Sequence, residues 1–192
     1  MVDSNRIDRW IKVLNIIDLI GVTIVVATAF IFQFFMNELP CPLCLLQRIG
    51  ILAIGFGFLL NIHYEIRPVH YALSLLAAVL TAFVALRQIT LHVSPSDGGY
   101  GSALFGFHMY TWVFMLCVLA IIYLSILLSI PRQYHLHKDS ERVSEVKSPI
   151  IKKFGHIVFI IYIVIIGVNI ISTLTECGFK ECSDNPVSYK LL

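Results

Sequence analysis

Five long apolar runs constrain this chain more than any other feature of its sequence. They cover residues 13–36, 44–62, 69–93, 107–130 and 154–174, and each has about the 20 residues that a helix needs to cross the roughly 30 Å hydrocarbon core of a bilayer. The first run is too long for the apolar part of a secretory signal, so we expect it to be retained. Because 58% of the 192 residues are hydrophobic and 14% are charged, the sequence predicts an all-α membrane protein, a helical bundle of five transmembrane spans.

Basic residues predict how the spans are oriented, because short cytoplasmic loops are enriched in lysine and arginine. The loops at residues 37–40 and 94–106 contain neither residue. The opposite side holds Arg6, Arg9, Lys12, Arg67, Arg132, Lys138, Arg142, Lys147, Lys152 and Lys153. We therefore expect a cytoplasmic N-terminus and a C-terminus outside. The net charge is only +2, and the basic residues belong to this inside face and not to a groove, so no nucleic-acid partner is expected.

Four of the cysteines are predicted to lie on the outside face. Cys41 and Cys44 form a C-x-x-C motif before the second span, and Cys177 and Cys182 follow the fifth span. Disulfides persist on the outside of bacterial inner membranes and on equivalent lumenal faces. The remaining cysteine, Cys117, has apolar neighbours in the fourth span and is interpreted as a packing residue.

The stretch PCPLCLLQR, residues 40–48, combines two thiols with a cation. Proline suits the first position of a helix, so Pro42 predicts that Cys41 caps the second span and that Cys44 lies in its first turn. The positive end of a helix and a nearby cation both stabilise a thiolate. Arg48 follows Cys44 by four residues and is expected on the same helix face. An arginine within a span is costly, so we interpret Arg48 as a functional cation, with snorkelling to the headgroups as the alternative.

The outer end of the third span is also polar, with Arg87, Gln88 and His92 in sequence. Polar ends of spans two and three could frame a pocket open to the lipid. For Arg87 the alternative is a contact with headgroups or backbone. For His92 it is an interfacial hydrogen bond.

CPLCLLQR, at the outer start of the second span, resembles the DsbB family of membrane thiol–quinone oxidoreductases. The resemblance extends over about residues 10–130. It implies that Cys41 and Cys44 form a disulfide regenerated by a membrane quinone, ubiquinone or menaquinone, with Cys44 nearer the quinone. It also implies that Arg48 holds and polarises the quinone ring. Arg87 and His92 are predicted as further quinone-binding residues.

The chain departs from the family pattern in the position of its second cysteine pair. The best-known members have four spans and carry that pair in the loop between spans three and four, which here contains no cysteine. The resemblance implies a catalytic role for Cys177 and Cys182, as a shuttle that meets a soluble DsbA-like thioredoxin-fold oxidant. A static disulfide that pins the tail is the alternative. A shuttle requires contact between sulfurs, and so a fifth span close to the second.

The expected organisation is a DsbB-like four-helix transmembrane bundle at residues 1–130, a cytoplasmic loop at 131–153, a fifth span at 154–174 and an outside tail at 175–192. The expected function is that of a protein dithiol:quinone oxidoreductase of a bacterial inner membrane. It would pass electrons from its soluble partner through periplasmic cysteines to the membrane quinone pool, generating disulfides for oxidative folding. Two alternatives are a zinc site made of the four outside cysteines and a haem held between histidines at the span ends.

Overall fold

The protein is a bundle of five long helices. The computed structural model describes residues 4–93, 98–130, 149–183, 186 and 188–191. The helices are α1 (Ser4–Phe35), α2 (Pro42–His63), α3 (Pro68–Leu91), α4 (Met109–Leu128) and α5 (Pro149–Cys177). Each contains a segment long and apolar enough to cross a membrane. The predicted five-span helical membrane protein is therefore confirmed, while the predicted orientation stays a prediction.

One small feature departs from an all-helical chain. The loop between α3 and α4 holds a hairpin of two antiparallel strands, β1 (Ala103–Leu104) and β2 (Phe107–His108). Its two turn residues, Phe105 and Gly106, have φ values of 52° and 84°. Two successive positive φ angles are what a tight two-residue hairpin turn requires. Strands of two residues are too short to show the alternation of apolar and polar residues that predicts a strand, so the sequence pattern did not predict this hairpin.

Several helices extend beyond the apolar runs that predicted them. Helix α1 begins at Ser4 and α5 begins at Pro149, whereas the apolar runs begin at residues 13 and 154. Hydropathy marks only the part of a helix that lies in hydrocarbon, while the backbone hydrogen bonds continue among polar residues at the interface. The predicted cytoplasmic loop falls largely at 131–148, outside the described residues.

Helix α2 is the centre of the bundle and packs against each of the other four helices. Helices α3 and α4 pack together on it, and α1 and α5 also pack together on it. Small residues allow α2 and α3 to approach closely: the Ser74 hydroxyl donates to the Ile54 carbonyl at 2.7 Å. A Cβ at Gly57 would overlap the Ser74 hydroxyl and the carbonyl oxygen of His70. The glycine therefore sets the spacing of these two helices.

Buried amides join α1, α2 and α3 at the end of the bundle away from Cys41. Asn15 Nδ2 donates to the Tyr71 hydroxyl at 2.8 Å, and Asn61 Nδ2 donates to Asn15 Oδ1 at 3.1 Å. His70 Nδ1 lies 2.8 Å from Asn61 Oδ1. Polar groups in hydrocarbon need such partners, so this cluster fixes how the three helices meet.

Helix α5 packs against α1 and α2 through one face. Its buried residues recur at helical spacings of three, four and seven, which is the pattern of a continuous helix–helix seam: Val158, Tyr162, Asn169, Ser172 and Glu176. The Tyr162 hydroxyl donates to the Leu52 carbonyl of α2. The fifth span therefore lies beside the second, as an exchange between the two cysteine pairs would require.

Gly57→Ala tests the close approach of α2 and α3. The added methyl has no space, so we expect the free energy of unfolding to fall by about 1–3 kcal/mol. The midpoint of thermal unfolding in detergent, followed by circular dichroism, measures this loss. Gly21→Ala is the matched control, because a Cβ there meets nothing within 4 Å. Equal midpoints for the two variants would contradict the close packing.

Candidate thiol–disulfide site

The C-x-x-C motif forms a disulfide at the start of α2. Cys41 and Cys44 are bonded, with their Cα atoms 5.0 Å apart. Cys41 is the N-cap residue with extended backbone, Pro42 occupies the first turn, and the Cys41 sulfur accepts the Cys44 N–H at 3.1 Å. The predicted cap is confirmed. Cys41 is buried and Cys44 is partly exposed, so a reactant can approach Cys44 more easily.

A glutamine of α3 contacts both sulfurs. Gln88 Nε2 lies 3.2 Å from Cys41 Sγ and 3.4 Å from Cys44 Sγ. Its carbonyl oxygen accepts from Gln47 Nε2 at 2.7 Å, which turns the NH₂ group toward the disulfide. Both glutamines are buried. An amide donor held against sulfur stabilises negative charge there when the disulfide is reduced.

Arg48 is buried one turn below Cys44, with only 7% of its surface exposed. Its Nη1 donates to Gln33 Oε1 at 2.6 Å, and its Nη2 donates to the Ala29 carbonyl at 3.0 Å. The guanidinium carbon also lies 5.0 Å from the centre of the Phe30 ring. Arg48 therefore points to α1 and does not snorkel to the surface, which removes the alternative reading of this cation.

Gln33 connects Arg48 to α5 and to the C-terminal tail. The same amide that accepts from Arg48 donates through Nε2 to Ser172 Oγ at 2.8 Å and to the Tyr189 hydroxyl at 3.1 Å. Gln33 is buried with 2% exposure. A single side chain thus ties α1, α2, α5 and the tail together next to the Cys41–Cys44 disulfide.

The second cysteine pair forms a disulfide at the end of α5. Cys177 and Cys182 are bonded, with their Cα atoms 4.6 Å apart. Gly178, with φ of +65°, ends the helix in the left-handed conformation. The chain then returns, and the Leu191 N–H donates to the Thr175 carbonyl at 3.1 Å. Cys177 is buried, whereas Cys182 is partly exposed. Since Tyr189 of this tail reaches Gln33, both disulfides lie at the same end of the bundle.

Two further predicted site residues lie at the end of α3. Arg87 is exposed at the end of α3. The ring of His92 stacks on Tyr110, with 5.8 Å between ring centres, and His108 stacks on the same tyrosine. The quinone-binding roles of Arg87 and His92 stay predictions.

The hairpin loop packs on the segment that precedes the C-x-x-C motif. The Tyr100 hydroxyl donates to the Leu39 carbonyl at 2.6 Å, and Glu38 accepts from the backbone N–H of Ser102 at 3.1 Å. Burial, together with the nearby carboxyl groups of Glu176 and Glu38, raises the pKa of Tyr100. The loop therefore packs against the two residues that come directly before Pro40 and Cys41, and its Tyr100 interacts electrostatically with Glu176.

Sequence reasoning missed the residues that surround the two disulfides. Gln88 was noted only as part of a polar helix end, and Gln47, Gln33, Ser172 and Glu176 were assigned no role. They share one signal, which is a polar side chain at a buried position of an apolar span. Such residues usually face a partner or a cavity. Applied to every polar residue in the spans, and not to arginine alone, this rule selects them.

The metal alternative is not supported. All four sulfurs of the two cysteine pairs are bonded in disulfides, whereas zinc binds thiolates. In the part of the chain that the structure describes, no group of three or more histidine, cysteine, aspartate or glutamate side chains could hold a metal ion. Cys117 is a free, buried cysteine, in agreement with its interpretation as a packing residue.

A disulfide that caps a membrane helix, beside an amide donor and a buried arginine, defines a membrane thiol–disulfide protein. Residues 11–102 match the family model described as "Disulfide bond formation protein DsbB". This part of the chain is therefore similar to the DsbB family. This match ends before α4, so the division into a four-helix bundle and an additional span stays a prediction.

Two curated relatives carry the name "Disulfide bond formation protein B". The one from Chromobacterium violaceum is 42% identical over 69 residues, which cover 34% of this chain and 42% of the relative. The one from Stutzerimonas stutzeri is 33% identical over 90 residues, covering 44% of this chain and 54% of the relative. The chain thus spans about half the length of these relatives. No solved structure matches it.

Gln88→Leu tests the contact between the amide and the sulfurs. A hydrogen bond to a charged group contributes about 1.5–3 kcal/mol, so loss of this donor should lower the equilibrium constant for reduction of Cys41–Cys44 by at least about tenfold. Titration of the purified protein with glutathione, followed by alkylation and mass spectrometry, measures the constant. Thr90→Ala, at an exposed position two residues further along α3, is the control. A constant that matches this control would refute the role of Gln88.

Proposed function

We propose that this protein is a membrane thiol–disulfide oxidoreductase that generates disulfides for oxidative protein folding. Electrons would enter from a soluble protein dithiol of thioredoxin-like fold and leave to a membrane quinone. The observation that carries this proposal is the Cys41–Cys44 disulfide at the start of α2, with Gln88 against both sulfurs and Arg48 buried one turn below. The family model named for disulfide bond formation matches residues 11–102, which include these side chains.

The cysteine chemistry follows from thiol–disulfide exchange. A partner thiolate attacks one sulfur of Cys177–Cys182 and displaces the other as a thiolate. The second partner thiol then resolves this mixed disulfide, so that two electrons and two protons reside on the tail pair. The same exchange moves them to Cys41 and Cys44 and restores the tail disulfide. The partial exposure of Cys182, beside a buried Cys177, supports Cys182 as the sulfur that is attacked first.

The residues around Cys44 suit a quinone. A guanidinium has five N–H donors, and Arg48 uses one for Gln33 and one for Ala29. Leu46 and Ile49, on the same helix, are exposed on the apolar surface of the bundle, where a lipid-soluble ring can approach. When bound there, a quinone would supply the two-electron, two-proton acceptor that returns Cys41 and Cys44 to the disulfide. Arg48 and Gln88 would hold its oxygens, with Arg87 and His92 as further candidates at the rim.

We further propose that the chain lies in a bacterial inner membrane with both disulfides on the periplasmic side. Two observations support this location. The two outer loops before α2 and α4 contain no lysine or arginine, and disulfides persist outside the cytoplasm. A membrane-impermeant maleimide, applied to reduced cells, should then label Cys182 before lysis. Labelling only after lysis would place this face in the cytoplasm.

Cys44→Ser should abolish the proposed reaction. Without this sulfur the Cys41–Cys44 disulfide cannot form, so the purified variant should not reduce a soluble ubiquinone or menaquinone analogue when a reduced thioredoxin-fold protein is supplied. Quinone reduction is followed by ultraviolet absorbance. Cys117→Ala is the control, because Cys117 is a free cysteine buried within α4 and belongs to neither disulfide, so turnover should be unchanged. Turnover by Cys44→Ser at the rate of the unmodified protein would overturn the proposal.

A Cys177→Ser/Cys182→Ser double variant separates a shuttle from a static disulfide. A shuttle predicts that quinone reduction by the protein dithiol is lost, while reduction by a small dithiol that reaches Cys44 directly continues. Comparison of the two reductants in one assay controls for damage to the fold. Undiminished turnover with the protein dithiol would show that the tail pair only pins the tail.

A further inference from the structure

Arg48 and Glu176 are the two charged side chains that are buried in the described part of the chain. Their exposed fractions are 7% and 3%. Every other buried polar side chain in those ranges is a neutral amide or hydroxyl. A buried charge without an opposite charge is strongly unfavourable, so the presence of one cation and one anion calls for a common explanation.

The two charges lie at the same junction between helices. Arg48 donates to Gln33 of α1, and Gln33 donates to Ser172 of α5. Ser172 precedes Glu176 by four residues, so the two side chains lie on one face of α5. Arg48 and Glu176 interact electrostatically. The Cys41–Cys44 disulfide lies one turn beyond Arg48, and Cys177 directly follows Glu176.

One oxygen of the Glu176 carboxyl group has no hydrogen-bond donor. Its Oε2 atom is buried and accepts no hydrogen bond. No salt bridge within 4.0 Å forms between Glu176 and Arg48; among the described side chains that contact joins Arg67 and Glu65. The Glu176 carboxyl group and the Arg48 guanidinium therefore interact through space, without a direct ion pair.

We propose that Glu176 is the counter-charge of Arg48 and thereby sets how strongly Arg48 stabilises negative charge at Cys41 and Cys44. The role of these cysteines as a redox pair rests on the proposed function. In the disulfide state neither sulfur is charged, and Arg48 is balanced by Glu176. In the reduced state a thiolate competes with Glu176 for the same cation. The fifth helix thus acts as an electrostatic component of the disulfide site, with Glu176 as a positioning residue.

The expected sign follows from this competition. Glutathione reduces Cys41–Cys44 by two exchanges: two glutathione thiols are oxidised to one glutathione disulfide, and the protein gains two thiols. Removal of the carboxylate charge leaves Arg48 free to stabilise the thiolate form. Glu176→Gln should therefore raise the equilibrium constant for reduction of Cys41–Cys44 by about tenfold, which corresponds to about 30 mV for a two-electron couple.

The experiment uses the full chain in detergent, equilibrated in glutathione buffers at fixed pH, with each cysteine pair quantified separately by alkylation and mass spectrometry. Glu181→Gln is the matched control, because it removes the same charge from an exposed position in the tail. It should change the constant by less than about twofold. An unchanged or lowered constant for folded Glu176→Gln would overturn the proposal.

Two further variants keep the test decisive. In an Arg48→Gln background, Glu176→Gln should no longer shift the constant, since the effect is transmitted through the arginine. An equal shift in both backgrounds would overturn the proposal.

If Glu176→Gln does not fold, Glu176→Asp, which draws the carboxylate back by one methylene, should raise the constant by about twofold to threefold. No rise would overturn the proposal. These measurements need neither quinone nor protein partner. The role of Glu176 and the proposed function can therefore be confirmed or refuted independently of each other.

Discussion

The hydrogen bond from Arg48 to Gln33 is the interaction on which the arrangement of this site depends. It is short, 2.6 Å, and both side chains are buried. Hydrocarbon offers no water to replace a missing partner, so a guanidinium at this depth must be satisfied by protein groups. Gln33 can satisfy Arg48 and still donate twice, to Ser172 and Tyr189. Because Arg48 must be satisfied by protein groups, residues of α1, α5 and the tail pack together at the end of the bundle where α2 starts after Cys41.

The same constraint explains why the described residues of the tail fold back on α5. Its backbone returns to Thr175 and Glu176 through the N–H groups of Leu191 and Lys190, and the Cys177–Cys182 disulfide closes the loop where it leaves the helix. The Tyr189 hydroxyl then reaches Gln33. A disulfide stabilises mainly by limiting the unfolded chain, so this bond also favours the conformation in which Tyr189 meets the buried amide.

Much of this fold could be predicted from the sequence, because its strongest signals are local. The length of the apolar runs gave five spans, and Pro42 predicted Cys41 as the N-cap, since both depend on neighbouring residues. The partners of Arg48 could not be predicted in the same way. Gln33 and Ser172 are 139 residues apart, and no local pattern determines which polar residues of distant spans meet. For the same reason Gln88, and not its neighbour Arg87, was found against the sulfurs only when the packing of α2 on α3 was known.

The position of the second cysteine pair follows from helix parity and packing together. A pair placed after a fifth span returns to the face of the first pair only if the number of crossings between them is even, and α2 to α5 supply four. Parity determines the side of the membrane on which the second pair lies, but it does not determine which helices the pair lies next to. The packing of α5 against α1 and α2 narrows its position to the side of the bundle where Gln33 and Arg48 lie. Helix α5 thus brings a cysteine pair to the end of the bundle that holds the Cys41–Cys44 disulfide, and the loop between α3 and α4 contains no cysteine. The Gln33 side chain, which accepts from Arg48 and donates to Ser172, supplies the contact between α1 and α5 there.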